Sequence, residues 1–226
     1  ARYRTSVVFS TATQPAFNHL DAGVRTIGEA GWQPREVVRN PAAMFNDARR
    51  TTVRWPDLAE PISWERLADE LAAVDQVLCV VNRKDHAVTL VRLLRERQCS
   101  GVRHLSTAMC PAHRGEVLAA ARLALNPANP QPCRLIATQC IEAGVDVDFP
   151  LVYRAFGPLE AIAQAAGRCN RHGLRNDGEV RVFLPAIDEK AQYPNDEVYT
   201  QAAAITRMLL SERGAAAMDI HDPELF

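Results

Sequence analysis

Several features that would assign this chain to a membrane or secreted class are missing from its sequence. No run of eighteen apolar residues occurs, which excludes a helix of the length that crosses a bilayer. The first residues, Ala1-Arg2-Tyr3-Arg4, lack the apolar stretch of a secretory signal peptide. We therefore expect a cytoplasmic protein with no membrane partner.

Paired metal-binding cysteines and a strong charge of one sign are also missing. None of the six cysteines forms a C-x-x-C pair, so a structural zinc site is not expected and we predict no metal ligands. The net charge of −1 argues against a uniformly basic coat for nucleic acid, but it does not exclude a local basic groove.

Apolar residues at regular spacing predict an α/β domain. Short apolar runs predict strands at 5–10, 51–55, 76–81, 102–105, 134–137, 151–155 and 180–184. Helical spacing predicts helices over 63–74 with Ser63 as the cap, around 87–94, over 111–125, from Pro158, and over 196–212. Alternating strands and helices indicate a mainly parallel β-sheet flanked by helices, with ligands beyond the carboxyl ends of the strands.

The first segment that can carry chemistry runs from residue 164 to residue 171. If it is helical, Gln164, Gly167, Arg168 and Arg171 fall on one face. Two neighbouring guanidinium groups repel each other unless an anion lies between them, and phosphate suits their planar geometry. An interior glycine destabilises a helix by roughly 1 kcal/mol, so we expect a close approach at that position. The alternative is a solvated arginine face with salt bridges elsewhere.

The second segment follows the predicted strand at 134–137. Thr138 ends the strand, and the polar loop after it holds Gly144 and three carboxylates, Glu142, Asp146 and Asp148. The glycine indicates an unusual backbone angle or a close ligand. The carboxylates could accept hydrogen bonds from ribose hydroxyls, or they could pair with nearby arginines.

Together with Thr11-Ala12-Thr13 near the N-terminus, these segments resemble the motor motifs of superfamily 2 helicases. Residues 11–13 resemble motif III, residues 138–148 motif V, and residues 164–171 motif VI. The stretches 104–114, 137–146 and 167–173, with the last six residues of the chain, narrow the resemblance to the CRISPR-associated helicase–nuclease of type I systems. The resemblance covers most of the chain and implies a RecA-like fold, that of a helicase C-terminal lobe.

The resemblance also implies a role for each candidate residue. Arg171 would be the arginine finger on the γ-phosphate of ATP, assisted by Arg168 and Gln164, with Gly144 and Asp146 lining the nucleotide. The remaining roles are contact with single-stranded DNA and coupling of hydrolysis to lobe movement. The DNA-contacting residues would be Thr138, Asn82, Arg83, Ser106 and Thr107, and the coupling residues would be Thr11 and Thr13.

The sequence holds only part of what ATP hydrolysis needs in this family. No Gly-Lys dipeptide occurs for a phosphate loop, and none of the three Asp-Glu pairs is followed by the helicase histidine. We therefore expect the cofactors ATP and Mg²⁺ to be held mainly by a first lobe, which would be a partner together with an HD nuclease domain, single-stranded DNA and the RNA-guided surveillance complex.

The predicted organisation has four parts. Residues 1–15 would be the last strand and motif III of the first lobe, 16–60 a connector, 61–213 the second RecA-like lobe, and 214–226 a linker. Two other interpretations of the function stay open. One is a nucleic-acid-binding module that has lost the motor, and the other is a lobe of a different superfamily 2 helicase.

Overall fold

The described part of the chain falls into two units. The structure, a computed structural model, describes residues 8, 21–26, 31, 35, 37–39, 43–44, 49–142, 144–176, 178–222 and 225. The first unit comprises Ala1–Ala48 and His221–Phe226, and the second comprises Arg49–Ile220. Helix α1, Asp21–Arg25, belongs to the first unit. The predicted coupling residues Thr11 and Thr13 lie outside the described residues.

The second unit is built on a parallel β-sheet. Its strands are β1 (Thr51–Arg54), β2 (Gln76–Val80), β3 (Val102–Leu105), β4 (Cys133–Ala137), β5 (Leu151–Ala155) and β6 (Gly178–Phe183). They lie in the order β1-β6-β5-β2-β4-β3, and each pair of neighbours is parallel. Every residue of β4 and β5 is buried, as expected for central strands covered on both faces. The predicted α/β class is confirmed.

Helices flank the strands, and all of them except the short α6 lie at positions that the sequence predicts. They are α2 (Trp64–Ala72), α3 (Lys84–Glu96), α4 (Pro111–Ala124), α5 (Leu159–Ala166), α6 (Glu189–Gln192) and α7 (Glu197–Arg213). The hydroxyl of Ser63 accepts from the backbone N–H of Arg66 and so caps α2, as predicted. The carboxylate of Asp196 caps α7 in the same way.

A hydrophobic layer covers each face of the sheet. On one face, α2 and α3 bury Leu67, Leu71, Leu90 and Leu94 at 0% exposure. On the other face, buried residues of α4 and α5 pack against β4 and β5. Burial of apolar surface on both faces holds the strand ends in fixed positions, and the loops at those ends carry the candidate site.

The sheet begins earlier than the predicted lobe. Strand β1 pairs with β6 from Thr51 opposite Gly178 to Arg54 opposite Arg181, and it lies inside the stretch 16–60 that the sequence predicts as a connector. The sequence predicts a strand at 51–55 but not its place in this sheet, because β1 alternates between half-buried and exposed residues and its apolar signal is weak. In the part of the chain that the structure describes, no helix combines the length and apolarity needed to span a membrane.

Candidate functional site

The two predicted motif segments meet at Phe149, just before the amino end of β5, and not beyond the carboxyl ends of the strands as expected. The loop after β4 begins with a 3-10 helix, Gln139–Ile141, and runs on to β5. The chain after α5 lies against the end of this loop, because Phe149 donates its N–H to the Arg168 carbonyl at 2.9 Å and accepts from the Asn170 N–H at 3.0 Å. Residues about twenty positions apart therefore form one surface.

The predicted helical stripe over residues 164–171 is wrong. Helix α5 ends at Ala166, and Gly167 is its C-terminal cap rather than an interior residue. A Cβ on Gly167 would lie 3.3 Å from the Gln164 carbonyl oxygen, the nearest atom, so the helix itself explains the glycine. Past this point Asn170 adopts a φ of 46°, which a continuing α-helix does not allow.

This break sends the two arginines into different environments. Arg168 is buried, and it donates from Nε to the Ile141 carbonyl at 3.0 Å and from Nη2 to the Glu142 carbonyl at 2.6 Å. Burial, followed by the nearby charge of Arg171, lowers the pKa of the Arg168 guanidinium. Arg168 thus ties the loop after β4 to the end of α5.

Arg171 instead lies at the surface beside Asp146. Its Nε is 3.0 Å from a carboxylate oxygen of Asp146, and the two side chains are 41% and 63% exposed. An exposed pair of this kind contributes at most about 1 kcal/mol, so an incoming anion can displace the carboxylate at little expense. The alternative that loop carboxylates pair with nearby arginines therefore holds for Asp146.

The two other residues predicted on the nucleotide side are exposed. Gln164 lies in the last turn of α5, and Gly144 lies in the loop after the 3-10 helix. Gly144 has a φ of 68°, and nothing lies within 4 Å of a Cβ built on it. Backbone conformation, rather than close approach of a neighbouring group, therefore accounts for this glycine.

Three of the residues predicted to contact DNA are buried. Ser106 is 0%, Asn82 2% and Thr138 3% exposed. The amide of Asn82 donates to the Phe156 and Gln192 carbonyls at 2.8 Å and 3.1 Å. In this conformation Asn82 organises the strand ends rather than presenting its side chain to solvent.

The other two predicted DNA-contacting residues are more accessible. Thr107 is exposed in the turn after β3, and Arg83 is partly exposed immediately before α3. The guanidinium of Arg83 pairs with Asp85 at 2.9 Å, and hydrogen bonding to that carboxylate raises the pKa of Arg83. The pairing holds Arg83 at the start of α3 as a cation.

Sequence reasoning missed a buried ionic cluster behind the site. The guanidinium of Arg154, which is 0% exposed, contacts the Glu142 carboxylate at 3.1 Å and the Asn82 side-chain oxygen at 2.7 Å. Nη2 of Arg154 also donates to the Tyr199 hydroxyl at 3.0 Å. Burial raises the pKa of Glu142, and the charge of Arg154 opposes that effect. The signal in the sequence was an arginine inside the otherwise apolar run 151–155.

Nothing in the described residues matches a Mg²⁺ ligand set. No group of three or more His, Cys, Asp or Glu side chains in the described ranges could hold a metal ion. The exposed guanidinium of Arg171 suits a phosphate, whereas the described residues do not suit the metal.

Comparison with known proteins gives a consistent set of relatives. Residues 73–174 match the family model of the CRISPR-associated nuclease/helicase Cas3, C-terminal. The CRISPR-associated nuclease/helicase Cas3 of Haloferax volcanii is 49% identical over 67 residues, which are 29% of this chain and 7% of that protein. The crystal structure of T. fusca Cas3-AMPPNP has a TM-score of 0.59 at 20% identity and covers 88% of this chain and 25% of its own.

A third relative is part of an assembly described as a CRISPR RNA-guided surveillance complex, pre-nicking. It has a TM-score of 0.55 at 23% identity and covers 76% of this chain and 24% of its own. At this level of identity the structural likeness shows the fold alone, a RecA-like parallel sheet flanked by helices. The aligned part of the chain corresponds to a quarter or less of the length of each of these relatives.

Proposed function

We propose that this chain, which contains a C-terminal domain of the Cas3 type, works as the second motor lobe of an ATP-dependent translocase on single-stranded DNA. The observation that carries the proposal is the position of Arg171. Its guanidinium is exposed beside Asp146, on a turn near the starts of β1 and β5 that tertiary hydrogen bonds fix. In this proposal the motor unwinds target DNA for an HD nuclease domain in CRISPR interference.

Arg171 would act as the arginine finger. A guanidinium offers paired N–H donors that match the oxygens of a transferring phosphoryl group. Stabilisation of transition-state charge by such an arginine contributes on the order of 10³–10⁵ in rate in phosphoryl-transfer enzymes. The γ-phosphate would replace the Asp146 carboxylate as the partner of Arg171, and this would free Asp146 to accept hydrogen bonds from the ribose.

Gln164 and Arg168, the other residues proposed at the nucleotide, have different roles. Gln164 is exposed in the last turn of α5, and we propose that it contacts the nucleotide. Arg168 is committed to two backbone carbonyls, so we propose that it supports the nucleotide site by holding the loop that carries Gly144 and Asp146. Binding of ATP itself would then be shared with the first lobe.

Hydrolysis would require that first lobe. The sequence contains no Gly-Lys dipeptide for a phosphate loop, and no metal-ligand cluster was found among the described residues. We infer that Mg²⁺ and the lysine that neutralises the phosphates come from the first lobe. This chain would then complete the site from the opposite side of the nucleotide and show no ATPase activity by itself.

The DNA strand would pass over the carboxyl ends of β2, β3 and β4. Thr107 and Arg83 are the accessible candidates for contacts to the phosphate backbone. Asn82, Ser106 and Thr138 would shape that surface from beneath. Backbone contacts of this kind give affinity without sequence preference, which suits a motor that must move along any target.

The test is reconstitution. This chain is mixed with a separately expressed first lobe, and DNA-stimulated ATP hydrolysis is measured for the wild type, for Arg171→Ala and for Arg92→Ala. Arg92 is a matched control, because it is also an exposed arginine paired with a carboxylate, Glu96 at 2.6 Å, but it lies on α3. We expect activity only with both lobes, loss of that activity in Arg171→Ala, and no loss in Arg92→Ala.

Two results would contradict the proposal. Hydrolysis that survives Arg171→Ala would show that Arg171 is not the arginine finger. Association of the lobes and binding of DNA without any hydrolysis would identify a nucleic-acid-binding module rather than a motor lobe. The ion pair between Arg171 and Asp146 is compatible with such a module as well as with a motor lobe.

A further inference from the structure

The turn that carries Arg171 is held from both sides by charged side chains. The N–H of Gly173 donates to the Asn170 carbonyl at 3.0 Å, so residues 170–173 form a tight turn with Arg171 and His172 in its centre. Asn170 and Gly173 both have positive φ, at 46° and 64°. A turn with this backbone needs external contacts to keep one orientation.

Asp148 supplies the contacts on the N–H side. Its carboxylate accepts from the backbone N–H of Arg171 at 2.8 Å and from the N–H of His172 at 3.3 Å. A ring nitrogen of His172 also lies 3.2 Å from the same carboxylate. The Asp148 side chain is only 10% exposed, which strengthens charge-assisted hydrogen bonds by excluding water.

Arg50 supplies the contact on the carbonyl side. Its Nη1 donates to the Arg171 carbonyl oxygen at 2.7 Å. The carbonyl of Arg50 in turn accepts from the side-chain amide of Asn170 at 2.9 Å and from the N–H of Gly178 at 3.1 Å. Arg50 therefore connects the start of β1 and the start of β6 to the peptide group that follows the Arg171 Cα.

We propose that Asp148 and Arg50 form a turn clamp, which grips the two peptide groups on either side of the Arg171 Cα and so fixes the direction of its guanidinium. Both are positioning residues, since the contacts described act on the backbone of the finger and not on a nucleotide. The inference rests on the proposed function, because it concerns how the proposed finger is oriented.

The reason to expect an effect on the rate is geometric. Displacement of a catalytic group by about 1 Å can lower a rate by on the order of a hundredfold. Arg171 has a long side chain whose own ion pair with Asp146 is exposed and weak. The backbone must therefore set the direction in which the Arg171 side chain leaves its Cα, and the turn clamp contacts that backbone directly.

The experiment measures kcat and KM for DNA-stimulated ATP hydrolysis in a protein that contains both motor lobes. The variants are Asp148→Ala, Asp148→Asn and Arg50→Ala, each alone and combined with Arg171→Ala. Asp57→Ala is the matched control, because Asp57 also accepts a backbone N–H in a turn, at 2.8 Å from Ala59, but far along the chain from Arg171.

We expect Asp148→Ala and Arg50→Ala each to lower kcat by about tenfold or more and to change KM by less than about threefold. Asp148→Asn keeps one oxygen that can accept from the Arg171 N–H, so it should retain an intermediate kcat. In the Arg171→Ala background the same changes should have little further effect, because a clamp that acts through Arg171 has nothing left to position.

The outcomes separate the clamp from the proposed function. If Arg171→Ala leaves hydrolysis intact, the finger is wrong and the clamp has no role in the rate. If Arg171→Ala strongly lowers kcat but the clamp variants keep kcat within about twofold of wild type, only the clamp is overturned. The same holds if Asp148→Ala lowers kcat as much in the Arg171→Ala background as in the wild type. Arg50 is exposed, so Arg50→Ala decides the matter if Asp148→Ala fails to fold.

Discussion

The carboxylate of Glu142 and the guanidinium of Arg154 lie 3.1 Å apart in the interior of the lobe, with side chains 7% and 0% exposed. The pair joins the loop after β4 to the end of β5. A buried ion pair adds little stability over an apolar pair, but loss of one partner leaves the other charge unpaired in a medium of low dielectric constant.

We therefore expect Glu142→Ala to lower the free energy of unfolding by about 3–5 kcal/mol. Glu142→Gln keeps an oxygen that can accept from Arg154 and should lower it less. Urea denaturation of this chain measures the change, with Glu116→Ala on the exposed face of α4 as the control. A change below about 1 kcal/mol for Glu142→Ala would show that water or a rearranged neighbour replaces Glu142 as the partner of the Arg154 guanidinium.

The hydroxyl of Tyr199 gives a second, smaller test of the same cluster. It donates to the Asn82 side-chain oxygen at 2.8 Å and accepts from Nη2 of Arg154 at 3.0 Å. Tyr199→Phe removes the hydroxyl and keeps the ring, so we expect a loss of about 1–3 kcal/mol in the free energy of unfolding. The loss should be smaller in a Glu142→Gln background, because both variants disturb the same hydrogen-bond network. Strictly additive losses would show that Tyr199 and Glu142 do not share one network.

Two glycines with the same φ of 68° should respond differently to alanine. A Cβ on Gly144 meets nothing within 4 Å, whereas a Cβ on Gly101 would lie 2.0 Å from the Pro132 carbonyl oxygen. Gly144→Ala should lower the free energy of unfolding by about 1–2 kcal/mol, the difference that the left-handed conformation imposes. Gly101→Ala adds a backbone clash and should lower it by more. Equal losses in urea denaturation would contradict this assignment.

The stability of the lobe should fall in mild acid because of His86. Its ring packs 4.9 Å from Trp64, and one ring nitrogen lies 3.0 Å from the Ala191 carbonyl. Burial, the largest effect, lowers the pKa of His86 below its ordinary value of 6.5. The folded state thus binds the proton less tightly than the unfolded state, and stability is lost as the pH falls below about 6.5.

The variant His86→Gln tests this, because its amide can still donate to the Ala191 carbonyl but does not titrate. We expect the drop in thermal midpoint between pH 7.5 and pH 5.5 to be smaller in His86→Gln than in the wild type. His113→Gln, at an exposed position on α4, is the control. An unchanged drop in His86→Gln would assign the acid sensitivity to other groups.

The strands and helices could be predicted from the sequence because their apolar residues follow one period over a whole element. Leu90 and Leu94 of α3 are buried as their spacing requires. The end of α5 could not be predicted, because Gln164, Gly167, Arg168 and Arg171 fit a helical face equally well whether or not the helix continues. Tertiary contacts end the helix: the chain after α5 pairs with Phe149, and the Asp148 carboxylate accepts from the N–H of Arg171.

In the candidate site too, some features could be predicted from the sequence and others could not. Exposure of Arg171 and the sharp turn at Gly144 agree with the residue types that suggested them. An arginine inside the apolar run 151–155 was the only local sign that Arg154 would be fully buried, and the run by itself predicts no partners for it. Its side-chain partners Asn82, Glu142 and Tyr199 come from three separate parts of the chain, and a local sequence pattern cannot predict contacts between such distant residues.

The position of β1 has a consequence for how the lobe can be produced. A chain cut to start at residue 61, the predicted beginning of the lobe, would keep α2 to α7 but lose the strand that pairs with β6. The N–H and C=O groups of β6 on that side would then face solvent along an open edge, which is a template for pairing with another molecule. Such a shortened chain should aggregate on concentration, so an expression boundary belongs before Arg49.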